Sequence, residues 1–316
     1  MRSTARASAD RLFENGRRSV REGWYQVLFE RDLADGLTVV PSARPLVALR
    51  TRKSVRVFDA TCPHRGAHLA YGGLPAGDEV ICPFHHRRIG IGSDCGSGYA
   101  VREYPTLVVG GMVFACFASK PIESLPKFMM DLDRTHYYVP GFELAVDVPG
   151  EMVIENGFDA THFRPVHGVK NEPSLAVHVN ASGDFMADGT FTVPASRWQR
   201  SAQESGLVAV PYQARAFGAG VLVSHMGGDD PYYVITSAMP TAPGKATARL
   251  SIAVPGGTSV PSAEGCDYLL RQMQAGLEKD QAVWRHLIID APANFEPEDA
   301  SVVAFRQYLD TLSRFQ

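Results

Sequence analysis

The sequence predicts an α+β protein in which a small antiparallel β domain precedes a larger domain, whose antiparallel sheet is flanked by helices. Two observations predict it. Short β-type runs separated by Gly and Pro fill residues 24 to about 117. The same alternation returns between about 174 and 254, and two helical patterns then close the chain. A length of 316 residues suits two cores better than one.

Taken in order, the elements give three segments. Residues 1–23 predict a short polar helix, 24–119 the small β domain and 120–316 the larger domain. The mixed-charge stretch 120–133, which contains prolines, predicts a linker. The clearest strands are predicted at 46–49, 55–58, 107–109, 112–115, 190–193 and 232–235, and the closing helices at 262–288 and 298–314.

Composition and charge exclude several classes of protein. A formal net charge of −3 argues against nucleic-acid binding, which usually needs a strong basic excess. We see neither a signal peptide nor an apolar run of membrane-spanning length, and so expect a cytoplasmic protein. In that compartment cysteines indicate metal ligation or free thiols rather than disulfides. The five cysteines are Cys62, Cys82, Cys95, Cys116 and Cys266.

The first group of candidate ligands is a pair of mixed Cys/His motifs. Cys62-Pro63-His64 is C-x-H, and Cys82-Pro83-Phe84-His85 is C-x-x-H. Two thiolates and two imidazoles suit a 2Fe–2S cluster with cysteines on one iron and histidines on the other. Zinc is the alternative, but zinc fingers pair like residues, as C-x-x-C and H-x-x-x-H. The mixed pairing therefore favours the cluster.

The second group lies between Asn156 and Gly168. Asp159 and His162 are three residues apart, which predicts one helical face, and Pro165 is expected to end that helix. His167 can then return to the same point. Two imidazoles and one carboxylate form the facial triad of oxygen-activating iron(II), which leaves coordination positions open.

The carboxylate of this triad is predicted on the helix at 262–288. Met273, Leu277, Trp284 and Leu287 form one apolar stripe, and Asp280 falls in its middle while Glu278 points away. An ionised acid on a buried face is costly unless it is paired or bound to a metal. A structural salt bridge would also explain Asp280, and Asp159 is an alternative third ligand.

No complete G-x-G-x-x-G motif follows a predicted strand, so electrons from a nicotinamide would have to arrive through another protein. The region 170–260 is rich in Val, Ala, Phe and Gly, which suits an apolar substrate cavity and equally an ordinary β core.

The motifs resemble a known family. Cys62-Pro63-His64-Arg65-Gly66-Ala67 with Cys82-Pro83-Phe84-His85, and N-x-x-D-x-x-H-x-x-x-x-H with a later D-x-x-x-W, are similar to the two halves of Rieske non-haem iron oxygenases, nearest to the 3-ketosteroid 9α-hydroxylase branch. Ala67 and Phe84 stand where bc-complex Rieske proteins carry disulfide cysteines. His86-Arg87 departs from the Gly-Trp or Gly-Tyr that commonly follows the second cluster histidine.

The resemblance implies specific roles. Cys62, His64, Cys82 and His85 would hold the 2Fe–2S cluster, and His162, His167 and Asp280 the mononuclear Fe(II). Asp159 would link an iron-ligating histidine to the second cluster histidine of a neighbouring subunit, which is His85 by position. Asn156 would lie near the iron. The family further implies a helix-grip catalytic domain, a homotrimer, a reductase or ferredoxin as electron donor, O2 as co-substrate and a hydrophobic substrate. A Rieske electron carrier without catalysis and an inactive oxygenase-derived protein are the alternatives.

Overall fold

The computed structural model describes residues 20–92, 98–120, 122–194, 206–229, 231–256, 262–289 and 291–315. Nearly all of the helix predicted at 1–23 lies outside these residues. Its described end is not helical, because Val20–Arg21 form a strand (β1) that pairs antiparallel with Arg314–Phe315 (β20). The two ends of the described chain therefore meet.

The N-terminal half contains three small sheets, with strand orders β10-β5-β4-β3, β11-β12-β2 and β6-β7-β8-β9. All pairs are antiparallel except β8 with β9. The strands are Gly23–Phe29 (β2), Leu37–Val40 (β3), Leu46–Arg50 (β4), Val55–Asp59 (β5), Leu74–Ala76 (β6), Glu79–Ile81 (β7), Arg88–Ile91 (β8), Ala100–Val101 (β9), Glu103–Tyr104 (β10), Thr106–Val109 (β11) and Met112–Phe117 (β12).

The C-terminal half is built on a seven-stranded antiparallel sheet with the order β13-β19-β18-β17-β16-β15-β14. Apart from β13 at one edge, the strands are meander neighbours. They are His136–Val146 (β13), Ala176–Val179 (β14), Phe185–Pro194 (β15), Leu207–Ala216 (β16), Val221–Met226 (β17), Tyr232–Ala242 (β18) and Lys245–Pro255 (β19). The α+β prediction is confirmed, whereas the boundary at 119/120 stays a prediction.

Five α-helices accompany the sheets in the described residues: Ser124–Asp133 (α1), Gly150–Glu155 (α2), Phe163–His167 (α3), Ala263–Trp284 (α4) and Ala300–Thr311 (α5). The linker predicted at 120–133 is therefore wrong for most of its length. Leu125, Met129 and Leu132 repeat at helical spacing and are buried, and Pro126 is tolerated because it lies in the first turn.

One face of the large sheet carries the main core. Alternate side chains of β15 to β19 point to this face, where α2, α4 and α5 cover them; Phe158, Phe185 and Phe305 are among its buried rings. A second core lies beneath the two Cys/His loops and includes Leu69, Val80 and Ile89. Each candidate site thus packs against a separate hydrophobic core.

The N-terminal and C-terminal halves contact each other near β1. The buried Arg21 guanidinium donates to Glu151 at 2.8 Å, to the Leu309 carbonyl and to Asp310 at 3.3 Å. Gly220 allows close approach, since a Cβ there would be 2.5 Å from the Trp24 carbonyl oxygen. Among the described helices, none is both long and apolar enough to cross a membrane.

Candidate active site with two metal centres

The two Cys/His loops share one backbone geometry. In each loop the cysteine N–H donates to the carbonyl five residues ahead, and the cysteine carbonyl accepts from the N–H four residues ahead. The bonds are Cys62 to Ala67 at 2.8 Å, Gly66 to Cys62 at 2.9 Å, Cys82 to Arg87 at 2.9 Å and His86 to Cys82 at 3.0 Å. The two loops therefore share one backbone conformation, although the histidine follows the cysteine by two residues in the first loop and by three in the second.

The four predicted cluster ligands come together in the structure. Cys62 and Cys82 are both 2% exposed and their thiols interact, while the ring centroids of His64 and His85 are 4.8 Å apart. Burial raises the pKa of the Cys62 thiol, whereas the backbone N–H of His64 favours its thiolate. A bound iron would replace the thiol proton and remove the cost of burial, so this donor set fits a 2Fe–2S cluster.

His86 stands where the family pattern usually has glycine. Its φ of 50° lies in the left-handed region, and Gly66 takes the equivalent position of the first loop with φ 78°. The family's usual glycine suits this conformation without strain, whereas a histidine adopts it less readily. The second loop nevertheless has the same backbone hydrogen bonds as the first, so a histidine at position 86 is compatible with the loop geometry.

The three predicted iron ligands also converge. His162 Nε2 and His167 Nε2 are 3.1 Å apart, and His167 Nε2 is 3.2 Å from Asp280 Oδ1. All three donor atoms lie within 4.8 Å of one another. Two donors at a right angle, each about 2.1 Å from a first-row metal, would be about 3.0 Å apart. The separations therefore fit a single ion held by a facial triad.

The backbone reaches this arrangement by a different route from the one predicted. Asp159 is not helical, because a 3₁₀ turn at Asn156–Phe158 ends there with ψ 93°. Pro165 lies inside α3 rather than after it, in the first turn where its missing N–H has no intrahelical role. His162 is the N-cap of that helix and His167 its last residue.

Hydrogen bonding fixes the tautomer of His162. Its Nδ1 is 2.6 Å from the Asp159 carbonyl oxygen, which can only accept, so Nδ1 carries the proton and Nε2 keeps its lone pair for a metal. Burial lowers the pKa of His162, and the neighbouring His167 lowers it further. The imidazole is therefore neutral, as ligation requires.

Asp280 reaches the site from α4. Leu277, Asp280 and Trp284 are buried on this helix while Glu278 is exposed, as the stripe predicts. Leu287 was wrongly placed on the stripe, because α4 ends at Trp284 and Leu287 is 44% exposed.

Asp159 stands at the surface beside the triad. Its Oδ1 accepts from the Thr161 N–H at 3.1 Å, from the Thr161 hydroxyl at 2.8 Å and from the His162 N–H at 3.3 Å. Its Oδ2 lies 3.9 Å from His162 Nδ1, and the side chain is 30% exposed. These bonds hold the carboxylate in place through Oδ1, and the side chain stays partly exposed.

A cavity of about 200 Å³ opens beside the triad. Its walls are mainly apolar, and Asn156 borders it. The apolar lining includes Phe163, Phe191, Leu222, Val234, Met273 and Trp284. Tyr212 and Ser224 also line it and escaped the sequence analysis, although polar residues at inward positions of otherwise apolar strands could have indicated them.

Two Cys/His loops with buried cysteines on a small β domain, together with a two-His, one-carboxylate centre beside a cavity, define an iron-dependent oxidoreductase with two metal centres. Comparison with known families agrees. Residues 23–108 match the Rieske 2Fe-2S domain, and residues 118–310 match the 3-ketosteroid 9alpha-hydroxylase C-terminal domain. The chain belongs to the Rieske non-haem iron oxygenases, in the branch defined by that C-terminal domain. The predicted cofactors, a 2Fe–2S cluster and a mononuclear iron, are those of this family.

Curated relatives are similar over part of their length. A cholesterol 7-desaturase of Drosophila melanogaster is 31% identical over 161 residues, which are 46% of this chain and 38% of that protein. The aminopyrrolnitrin oxygenase of Pseudomonas fluorescens is 32% identical over 167 residues, 46% of each chain. The matches thus span less than half of either relative.

Solved structures share the fold over most of the chain. Dicamba monooxygenase bound to 3,6-dichlorosalicylic acid superposes with a TM-score of 0.73 at 16% identity, covering 92% of this chain and 96% of that one. NdmA of Pseudomonas putida CBB5 with caffeine gives 0.68 at 17% identity, covering 91% and 89%. At these identities the similarity shows the fold alone.

Proposed function

We propose that this chain is the terminal oxygenase component of a monooxygenase that hydroxylates a C–H bond of a hydrophobic, steroid-like or polycyclic substrate. The observation that carries the proposal is the convergence of His162, His167 and Asp280 beside an apolar cavity. When bound, the cluster supplies single electrons and the mononuclear iron supplies dioxygen activation. Electrons come from a separate reductase or ferredoxin.

In this proposal the residues divide into two ligand sets. Cys62 and Cys82 hold one iron of the cluster as thiolates, and His64 and His85 hold the other. The triad holds the mononuclear iron through His162 Nε2, His167 and Asp280. The Asp159 carbonyl keeps His162 in the required tautomer by accepting from Nδ1. The apolar walls exclude water from the reacting C–H bond.

Asp159 is proposed as the contact between neighbouring subunits of a homotrimer arranged head to tail. Its side chain is 30% exposed, and its Oδ1 is held by hydrogen bonds from Thr161. His85 is exposed on the cluster domain, so an imidazole N–H of another copy could donate to Asp159. That contact would join the cluster of one subunit to the triad of the next.

The sterol-like substrate is supported by the relationship to cholesterol 7-desaturase and by the apolar cavity. The second candidate is a tailoring step in specialised metabolism, supported by the comparable identity to aminopyrrolnitrin oxygenase. Demethylation begins with the same attack on a C–H bond and would use the same site. An electron carrier is disfavoured, because it requires neither the triad nor the cavity.

Two measurements test the proposal. Anaerobically purified protein should contain about three irons and two acid-labile sulfides per chain. Reduced protein loaded with a panel of sterols and polycyclic compounds, then exposed to oxygen in a single turnover, should yield an oxygenated product detectable by mass spectrometry. His167→Ala is the control and should retain sulfide without forming product. Zinc in place of iron, or no product from any compound, would contradict the proposal.

A further inference from the structure

A short chain of hydrogen bonds runs from the candidate iron site into the cavity wall. The Tyr212 hydroxyl lies 2.8 Å from the Gly157 carbonyl oxygen and 3.2 Å from Ser224 Oγ. Gly157 belongs to the 3₁₀ turn that leads into Asp159, and all three residues line the cavity. Tyr212 is 3% and Ser224 8% exposed, so the chain is shielded from bulk water.

The direction of these bonds follows from counting hydrogens. A tyrosine hydroxyl has one hydrogen, and a carbonyl can only accept, so Tyr212 donates to Gly157. Ser224 must then donate to Tyr212 across the 3.2 Å contact. Burial raises the pKa of Tyr212 to about 12, and the bond from Ser224 opposes that rise, as a bond donated to the phenol oxygen does.

With its hydrogen used, Ser224 Oγ has only lone pairs left to offer the cavity. A substrate hydroxyl or N–H can donate to it and extend the chain. A ketone could bond only if Ser224 turned its hydrogen away from Tyr212, which would give up one neutral hydrogen bond to gain another.

The charges of the cavity lining further restrict which substrates can bind. Of the described residues around the cavity, the ionisable ones are the triad and the tyrosines Tyr212 and Tyr232. Apart from the residues that would hold the iron, this lining offers no charged side chain to pair with a carboxylate or ammonium group, so burying such a group against these walls is costly.

We propose that Ser224 is a specificity-determining residue that accepts a hydrogen bond from the substrate, so that the preferred substrate is an uncharged apolar molecule carrying a hydroxyl or N–H donor. The inference rests on the proposed function, because it takes this cavity as the substrate site. It deepens that function by selecting alcohols over the corresponding ketones. One neutral hydrogen bond corresponds to a preference of roughly two- to tenfold in Kd.

The test uses matched alcohol and ketone pairs of two sizes, decalol with decalone and cholestanol with cholestanone. Their binding to the metal-loaded protein is measured by equilibrium dialysis without oxygen. The wild type should bind the alcohol of at least one pair roughly two- to tenfold more tightly than its ketone. No binding by either pair, or equal binding of alcohol and ketone, would overturn the inference.

Variants separate this role from a structural one. Ser224→Ala should bring the alcohol-to-ketone ratio to about one by weakening the alcohol. Tyr212→Phe frees the Ser224 hydrogen, so the ketone should bind more tightly while the alcohol is unchanged. Thr236→Val, which removes another hydroxyl of the cavity lining, is the control and should keep the preference. If Thr236→Val abolishes the preference and Ser224→Ala does not, the assignment is wrong.

This binding assay involves neither electron transfer nor turnover. An intact alcohol preference in protein that forms no product would count against the proposed oxygenase function while leaving the hydrogen-bond assignment in place. Product formation without an alcohol preference would support the proposed oxygenase function and count against the hydrogen-bond role of Ser224.

Discussion

The ion pair between Glu155 and Arg306 supports the segment of chain that carries the candidate iron site, and its removal should destabilise the protein in a pH-dependent way. Glu155 ends α2 and directly precedes Asn156. Arg306 on α5 donates through Nε at 2.6 Å and through Nη2 at 2.7 Å to the two carboxylate oxygens. The Glu155 side chain is 12% exposed and that of Arg306 is 42% exposed.

Arg306→Met would leave the Glu155 carboxylate without its cation. Removing one partner of a fully buried pair costs about 3–5 kcal/mol, and the partial exposure of Arg306 reduces this to about 1–3 kcal/mol near pH 7. Burial already raises the pKa of Glu155, and Arg306 counteracts it, so the variant should raise that pKa further.

The sign of the pH effect follows. A carboxyl whose pKa is higher in the folded than in the unfolded state stabilises the protein when protonated, and that stability is lost as the pH rises through the folded pKa. The difference in the free energy of unfolding between wild type and Arg306→Met should therefore be largest at neutral pH. It should shrink as the pH falls towards the ordinary carboxyl pKa of about 4.

Urea unfolding followed by circular dichroism, between about pH 8 and pH 5, measures the effect. In a Glu155→Gln background the arginine substitution should cost little, because no charge is left unpaired. Lys245→Met is the control for an exposed ion pair, that with Asp147, and should cost less than about 1 kcal/mol. A pH-independent loss, or the same loss in the Glu155→Gln background as in the wild type, would refute the reasoning.

Three further predictions concern the two centres and the cavity. Cys82→Ala should remove both acid-labile sulfides and about two of three irons while the mononuclear iron stays; loss of all iron would contradict separate sites. Asp159→Ala should leave all metals bound but stop product formation coupled to cluster oxidation, measured by stopped-flow absorbance and product analysis; full turnover would refute the proposed relay. Gly157→Ala places a Cβ 2.4 Å from Leu222 Cδ2 and should lower the free energy of unfolding by about 1–3 kcal/mol. Gly206→Ala, which has open space around it, is the control, and equal losses would contradict the steric reason.

The cluster loops were predictable because their ligands are local. Each loop contributes one cysteine and one histidine within three or four consecutive residues, and short-range hydrogen bonds fold both loops alike. The 2Fe–2S cluster followed from these loops and the mononuclear iron from the second group of ligands, and the family with its two cofactors is confirmed. The ligand roles themselves remain predictions that the geometry supports.

The second site was only partly predictable. Helical periodicity indicated that Asp280 faces inwards, yet it could not identify the partner of that carboxylate. The predicted backbone conformation was wrong in two places, since Asp159 lies outside a helix and Pro165 lies inside one. Residue spacing alone cannot separate a 3₁₀ turn followed by a short helix from one continuous helix.

By itself the sequence determined the fold class, the family and the residue types available for two iron centres, because these depend on motifs and periodicities among neighbours in the chain. Only the tertiary structure decided that α4 brings Asp280 to within 3.2 Å of His167, that Arg306 neutralises Glu155, and that Ser224 and Tyr212 share the cavity wall. The physical reason is that these contacts join distant segments. Their geometry depends on the register of the seven-stranded sheet and on how the helices pack against it, which no local pattern encodes.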